Sequence, residues 1–138
     1  MHRHSSILKQ RTRGRLNVEK LTYGLIGCGR IAPNHITAAM NNADALEVVA
    51  LCDPVREHAE RILSFLPEEK RASVRLYEDY REMLRDGAPT LVSIATESGK
   101  HASIGLDCLD AGCNVIIEKP MAMSMDDAEE IVRRSEEK

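Results

Sequence analysis

The chain has 138 residues, of which 43% are hydrophobic and 30% charged, and its formal net charge is −3. This length allows one domain with a substantial core, and no apolar stretch approaches the roughly 18 residues of a membrane span. Because the chain beyond residue 20 is acidic, nucleic acid is not expected as a partner. We also predict a cytoplasmic protein without a membrane partner.

The first 20 residues differ from the rest in charge. They carry eight basic side chains against one acid, Glu19, and they lack the apolar core of a secretory signal. Because the segment is short and has no interleaved aromatic residues, we expect a disordered extension over residues 1–20 and a folded domain over residues 21–138. Binding of polyanions by the extension is the alternative.

A glycine-rich turn follows the first predicted strand, Thr22–Ile26. Gly27 would allow a tight turn off the strand, Gly29 would let a ligand approach the backbone, and Ala32 is small enough for close packing of the following helix. The amino end of that helix would offer unpaired N–H groups and a positive dipole to phosphates. The candidate cofactor-binding residues of the turn are Gly27, Cys28, Gly29, Arg30, Ile31 and Ala32.

An acidic residue, Asp53, ends the second predicted strand, Leu46–Cys52, and follows Gly29 by 24 residues. An acid about 20 residues beyond such a turn accepts hydrogen bonds from the adenosine ribose. Its charge would repel a 2′-phosphate, so we predict NAD as the cofactor, with Arg56 leaving NADP open. A turn-forming role for Asp53 ahead of Pro54 is compatible with this prediction.

Further apolar runs alternate with helical stretches along the chain. Nearly continuous runs such as Val115–Ile117 are typical of parallel strands covered on both faces, and strict alternation predicts an α/β doubly wound parallel sheet. The remaining strands are predicted at Val74–Tyr77, Leu91–Ala95 and Asn114–Glu118. The helices are predicted at Pro33–Asn42, Arg56–Leu66, Tyr80–Arg85, Lys100–Ala111 and Ser124–Glu137.

Ligands of open parallel sheets bind at the carboxyl ends of the strands. The motif Glu118-Lys119-Pro120 closes the fifth predicted strand, and a lysine there could polarise or protonate a substrate oxygen during hydride transfer. An ordinary surface lysine beside a turn proline fits the spacing equally well. The four cysteines show no paired C-x-x-C spacing, so we predict no metal site. Because no secretory signal accompanies them, we predict reduced thiols.

In these motifs the sequence resembles the Gfo/Idh/MocA oxidoreductases, from about Thr22 to the end. The resemblance implies a Rossmann-type NAD(P)-binding domain whose Thr96, His101, Glu118 and Pro120 line or shape the cofactor cleft. It also implies that Lys119 is catalytic and lies near the reacting oxygen. Such enzymes transfer a hydride between a nicotinamide cofactor and a sugar, polyol or nucleotide-sugar hydroxyl.

The run Ala95–His101 has Glu97 where proline is frequent in the family, and it is similar to the subset that acts on nucleotide-linked amino-sugar uronates. The family continues into a C-terminal substrate domain beyond the last helix seen here. For these 138 residues we therefore expect cofactor binding without turnover, and a homo-oligomer through the exposed sheet edge. The alternative is a non-catalytic dinucleotide-binding module that senses redox state or binds a partner chain.

Overall fold

The computed structural model of the chain describes residues 11–12, 15–16 and 19–137. Two strands of two residues each, β1 (Arg11–Thr12) and β2 (Arg15–Leu16), pair antiparallel. The predicted disordered extension falls mainly on residues outside the described ones and stays a prediction. Within the described residues, no helix is both long and apolar enough to cross a bilayer.

A parallel sheet of five strands forms the centre of the domain. Its order is β5-β4-β3-β6-β7, so the chain builds outward from β3 in one direction and then crosses to the other side. This arrangement confirms the predicted doubly wound sheet. The strands are β3 (Leu21–Ile26), β4 (Leu46–Cys52), β5 (Arg75–Tyr77), β6 (Leu91–Ile94) and β7 (Asn114–Ile117).

Helices cover the two faces of this sheet. They are α1 (Ala32–Asn41), α2 (Arg56–Leu63), α3 (Glu68–Arg71), α4 (Tyr80–Gly87), α5 (His101–Asp110) and α6 (Met125–Glu137), with a 3₁₀ turn at Ser98–Lys100. Helices α1 and α2 pack on the face that contains Leu25, whereas α4 and α5 pack on the face that contains Ile26. Alternate residues of β3 therefore enter two separate cores, as expected of a strand that is buried on both faces.

The register of the sheet aligns the carboxyl ends of its strands. Ile26 of β3 pairs with both Cys52 of β4 and Ile94 of β6. On the outer strands, Cys52 pairs with Tyr77 and Ile94 pairs with Ile117. The next residue of each strand consequently lies at one level, and these residues are Gly27, Asp53, Glu78, Ala95 and Glu118.

Beyond shifts of one to three residues at the ends of elements, two local features differ from the prediction. Helix α3 was not expected, because its sequence Glu-Glu-Lys-Arg has no apolar periodicity. Strand β7 was expected to be buried on both faces, but Ile116 is 47% exposed. Strand β7 is the outermost strand on its side of the described sheet, so one of its edges and part of one face remain uncovered.

Candidate dinucleotide site

The glycine turn that joins β3 to α1 has its predicted conformation. Gly27 has a φ of 98°, and a Cβ atom there would lie 2.6 Å from the carbonyl carbon of Ala95. The backbone that follows β6 therefore allows only glycine at this position. At Gly29, in contrast, a Cβ atom would meet no protein atom within 4 Å, so its backbone faces open space at the amino end of α1. A phosphate could approach the backbone there.

Side chains from two other elements hold this turn in place. The Cys28 N–H donates to Asp53 Oδ2 over 2.8 Å. On the opposite side, Arg61 Nη2 of α2 donates to the carbonyl oxygens of Cys28 (3.4 Å) and Gly29 (3.3 Å). Arg61 also brings a positive charge to the turn where a pyrophosphate would lie. The sequence analysis missed Arg61, because its contact depends on the packing of α2 and on no motif.

Asp53 is only 8% exposed and makes more contacts than its predicted ribose role required. Its Oδ1 accepts from the Val55 N–H over 2.8 Å and lies 3.2 Å from His58 Nδ1. The Cys28 and Val55 bonds engage two of about four acceptor positions of the carboxylate, and His58 engages a third when its Nδ1 carries the hydrogen. One position remains for a ribose hydroxyl. Asp53 thus has a structural contact to the turn in addition to its predicted binding role.

A cleft of about 560 Å³ opens along the carboxyl edge of the sheet. The predicted residues Gly27, Gly29, Asp53 and Thr96 line it, whereas Arg56 does not and instead faces Glu60 of its own helix at 3.6 Å. The lining residues that the sequence analysis missed come from the loops and helices that follow β4, β5 and β6: Val55, His58, Glu78, Asp79, Tyr80, Arg81 and Ile104. Glu97 and Lys100 of the run Ala95–His101 line the cleft as well.

Acidic side chains line the part of this cleft next to Asp53, the predicted ribose ligand. Glu78 and Asp79 follow β5 directly and lie beside Asp53 at the level of the strand ends. Negative charge at this position disfavours an additional phosphate on the ribose. The rim of the cleft is fixed by Tyr80, whose hydroxyl donates to Asp107 Oδ2 over 2.6 Å and so joins α4 to α5.

His101 does not line the cleft, which corrects the expectation from the family resemblance. Its side chain is 1% exposed and lies beneath the loop that carries Thr96. The ring nitrogens Nδ1 and Nε2 lie 2.7 Å from the Pro120 oxygen and 2.8 Å from the Thr96 oxygen. Because a carbonyl only accepts, both contacts are hydrogen bonds only when both nitrogens carry hydrogen, and a neutral ring makes one of them. His101 therefore connects the end of β6 to the end of β7.

The motif Glu118-Lys119-Pro120 begins at the carboxyl end of β7, and its Lys119–Pro120 peptide is cis. Lys119 is exposed at this edge of the sheet, outside the enclosed cleft. Glu118 Oε2 lies 2.7 Å from His35 Nε2 of α1, a contact that the sequence analysis did not anticipate. Arg30 and Ile31 likewise lie outside the cleft lining, at the start of α1.

The cysteines are buried thiols. Burial and then the nearby Asp53 carboxylate raise the pKa of Cys28 to about 12. Burial and then the adjacent Cys28 raise the pKa of Cys52 to about 12. Thiols with such pKa values are poor nucleophiles, so these residues act as small packing groups at neutral pH. The part of the chain that the structure describes contains no cluster of three or more metal-ligating side chains.

A parallel doubly wound sheet with a glycine turn, an acid and a cleft at its switch point defines a dinucleotide-binding domain. Residues 21–138 match the sequence family described as "Oxidoreductase family, NAD-binding Rossmann fold". The chain therefore belongs to the Gfo/Idh/MocA family and forms its NAD-binding Rossmann domain, as the sequence motifs predicted.

The named relatives are longer than this chain. The chain is 34% identical to D-apiose dehydrogenase of Paraburkholderia graminis over 86% of its own length and 30% of the relative. It is 29% identical to inositol 2-dehydrogenase of Salmonella typhimurium over 81% of its own length and 32% of the relative.

Among solved structures, the WlbA dehydrogenase from Bordetella pertussis in complex with NADH and UDP-GlcNAcA is similar, with a TM-score of 0.77 and 32% identity. That match covers 86% of this chain and 35% of the other. The chain thus spans about a third of the length of these relatives. All three are dehydrogenases, so the alternative of a non-catalytic redox-sensing module is not favoured.

Proposed function

We propose that these residues hold NAD for an enzyme that moves a hydride between the nicotinamide and a hydroxyl-bearing carbon of a sugar, polyol or nucleotide sugar. The observation that carries the proposal is the level register of the strand ends. It brings the glycine turn, Asp53 and Glu118-Lys119-Pro120 to one edge of the sheet. An elongated ligand extending from Asp53 past the turn toward β7 would meet all three groups.

The residues present suit a dinucleotide. The open backbone at Gly29 and the amino end of α1 would receive the pyrophosphate, Arg61 would add positive charge, and Asp53 would accept from the adenosine ribose. When bound, NAD supplies the hydride acceptor or donor. Lys119 would take the proton of the substrate hydroxyl during oxidation and return it during reduction, so that the proton and the hydride leave or join the substrate separately.

As substrate class we propose a nucleotide-linked amino-sugar uronate. The WlbA structure, 32% identical to this chain, carries UDP-GlcNAcA together with NADH, and the run Ala95–His101 led to the same class. In this chain that run forms the 3₁₀ turn at the rim of the cleft, where Lys100 contributes a positive charge. We also propose a cytoplasmic location, where NAD is available and the free cysteines stay reduced.

Self-association is the final part of the proposal. Large apolar side chains are exposed at the outer strand β7 and in the segment and helix that follow it, namely Ile116, Met121, Met123, Met125 and Val132. An uncovered strand edge beside an apolar surface favours pairing between copies of a chain. We expect size-exclusion chromatography with light scattering to show a species larger than 15.4 kDa, and Ile116→Lys to shift it toward the monomer.

The cofactor site is tested by paired titrations with NADH and NADPH, followed by nicotinamide fluorescence. We expect saturable binding of NADH that is tighter than binding of NADPH, and no substrate-dependent formation of NADH from these residues alone. Lys119→Met should change the emission of bound NADH, and Lys70→Met on α3, outside the cleft, serves as the matched control. Failure of NADH to bind would contradict the proposed function.

A further inference from the structure

A histidine and a glutamate from opposite sides of the switch point form a short hydrogen bond. His35 Nε2 lies 2.7 Å from Glu118 Oε2, and the side chains are 12% and 33% exposed. A carboxylate only accepts, so the hydrogen is on Nε2. The distance falls in the range of a charge-assisted bond, which is stronger than a neutral one.

The topology gives this contact its importance. His35 lies one turn into α1, the helix whose amino end the glycine turn presents to the proposed pyrophosphate position. Glu118 follows β7, which lies beyond β6 on the other side of β3. The bond therefore links the helix of the phosphate end to the strand end that carries Lys119. Among the hydrogen bonds described above, it is the one that joins α1 to this motif.

The residue on the other side of Lys119 is also held by a histidine. The buried ring of His101 contacts the Pro120 oxygen at 2.7 Å. In addition, the Glu118 N–H donates to the Ile94 oxygen over 3.0 Å. The backbone is thus fixed immediately before and immediately after Lys119, whereas the lysine itself is exposed.

We infer that His35 is a positioning residue, which acts through Glu118 to hold Lys119 and the nicotinamide end of the site in register with the glycine turn. This inference rests on the proposed function and adds to it a residue on α1 that the family motifs did not single out. His35 would touch neither the substrate nor the nicotinamide. Its effect would be confined to the position of the Glu118-Lys119-Pro120 segment.

The first test needs no cofactor. Amide hydrogen exchange of the free 138-residue chain is compared for the unsubstituted protein, His35→Ala and His35→Gln. Loss of the bond should speed exchange at the Glu118 amide, which donates to the Ile94 oxygen, by about tenfold, while the Leu25 amide in the core should not change. Glutamine can place an N–H donor near the position of Nε2, so His35→Gln should restore most of the protection. Thr37→Ala, at an exposed position of α1, is the matched control.

The second test separates the two ends of the ligand. ADP-ribose contains the adenosine and the pyrophosphate but no nicotinamide. We expect His35→Ala to weaken NADH binding about five- to tenfold, as for the loss of one charge-assisted bond, and to leave ADP-ribose binding unchanged. Glu118→Ala should have the same effect, and the double variant should be no weaker than either single variant.

The outcomes distinguish the two proposals. Unchanged amide exchange at Glu118 in His35→Ala would overturn the positioning role, whatever the cofactor does. An equal loss of NADH and ADP-ribose binding would also overturn it, because the effect would then be a general displacement of α1. If the unsubstituted chain binds neither ligand, the proposed cofactor site fails, and the exchange experiment alone decides the role of His35.

Discussion

The two halves of the carboxyl edge are built differently. At the β3–β4 half, the glycine turn is held by Asp53 and Arg61, and the residues that contact it are buried or hydrogen-bonded. At the β7 half, Lys119 is exposed, and Ile116 and the methionines after the motif lie open to solvent. The half proposed for the adenosine is thus enclosed by contacts to the turn, whereas the half proposed for the nicotinamide leaves Lys119 open to solvent.

This difference indicates which part of the function each half can carry alone. Affinity for the dinucleotide should come mainly from the β3–β4 half, because its donors and acceptors are already positioned before binding. We expect no turnover at the nicotinamide from these residues alone, because Lys119 is exposed to solvent. The variants below test this division, beginning with the largest expected effect.

Gly27→Ala should destabilise the fold at the β3–β4 half. The added Cβ would lie within 2.7 Å of three backbone atoms of Ala95 and Thr96, at a φ that side chains rarely adopt. We expect the free energy of unfolding to fall by about 3 kcal/mol or more, measured by urea denaturation. Gly99→Ala, where a Cβ meets nothing within 4 Å, is the control and should change little. Equal stability of the two variants would contradict the close approach of β3 and β6.

Gly29→Ala should separate binding from folding. Its Cβ meets no protein atom within 4 Å, so the free energy of unfolding should change by less than about 0.5 kcal/mol. The same methyl group would occupy the space that a pyrophosphate needs, so NADH affinity should fall at least about tenfold in the fluorescence titration. Unaltered affinity would show that the ligand does not approach the turn here.

Asp53→Asn should affect both stability and cofactor binding, each by a smaller amount. An amide has one oxygen acceptor, so the Cys28 and Val55 N–H bonds compete for it, and we expect a loss of about 1–3 kcal/mol in stability. Removing the charge should also narrow the preference for NADH over NADPH. Glu78→Gln removes an exposed charge from the same cleft and should change the preference less, with no effect on stability. A larger change of the NADH preference in Glu78→Gln than in Asp53→Asn would assign the discrimination between NADH and NADPH to Glu78 instead of Asp53.

The motifs in the sequence predicted the parallel sheet and a site at the carboxyl ends of its strands, because apolar runs and glycine turns are local signals. They could not predict Arg61 or His35, since each reaches the site through helix packing. His101 shows the opposite limit. Its place in a family motif suggested contact with the cofactor, but its ring is buried between two carbonyl groups. Position along the chain does not reveal which way a side chain points at a helix start.

Strand β7 shows a related limit. The run Val115–Ile117 has the composition of a strand buried on both faces, yet Ile116 is 47% exposed. An apolar pattern indicates that a surface is suited to burial, but the element that buries it is set by topology. The order of the sheet leaves β7 at the outside of the described strands.

The smallest effect concerns pH and again distinguishes the two halves. The pKa of Cys28 is raised from 9.0 to about 12 by burial and then by Asp53, so the folded state holds the thiol proton more tightly than the unfolded state. Its contribution to stability is therefore complete below pH 9 and is lost as the pH rises toward 12. Urea denaturation should show a decline in this range, and the decline should be shallower in Cys28→Ala, where other alkaline titrations persist. An identical slope in both proteins would contradict a buried thiol at the turn. Ile116→Val, in the exposed half, is the control and should leave the slope unchanged, because it removes no titratable group.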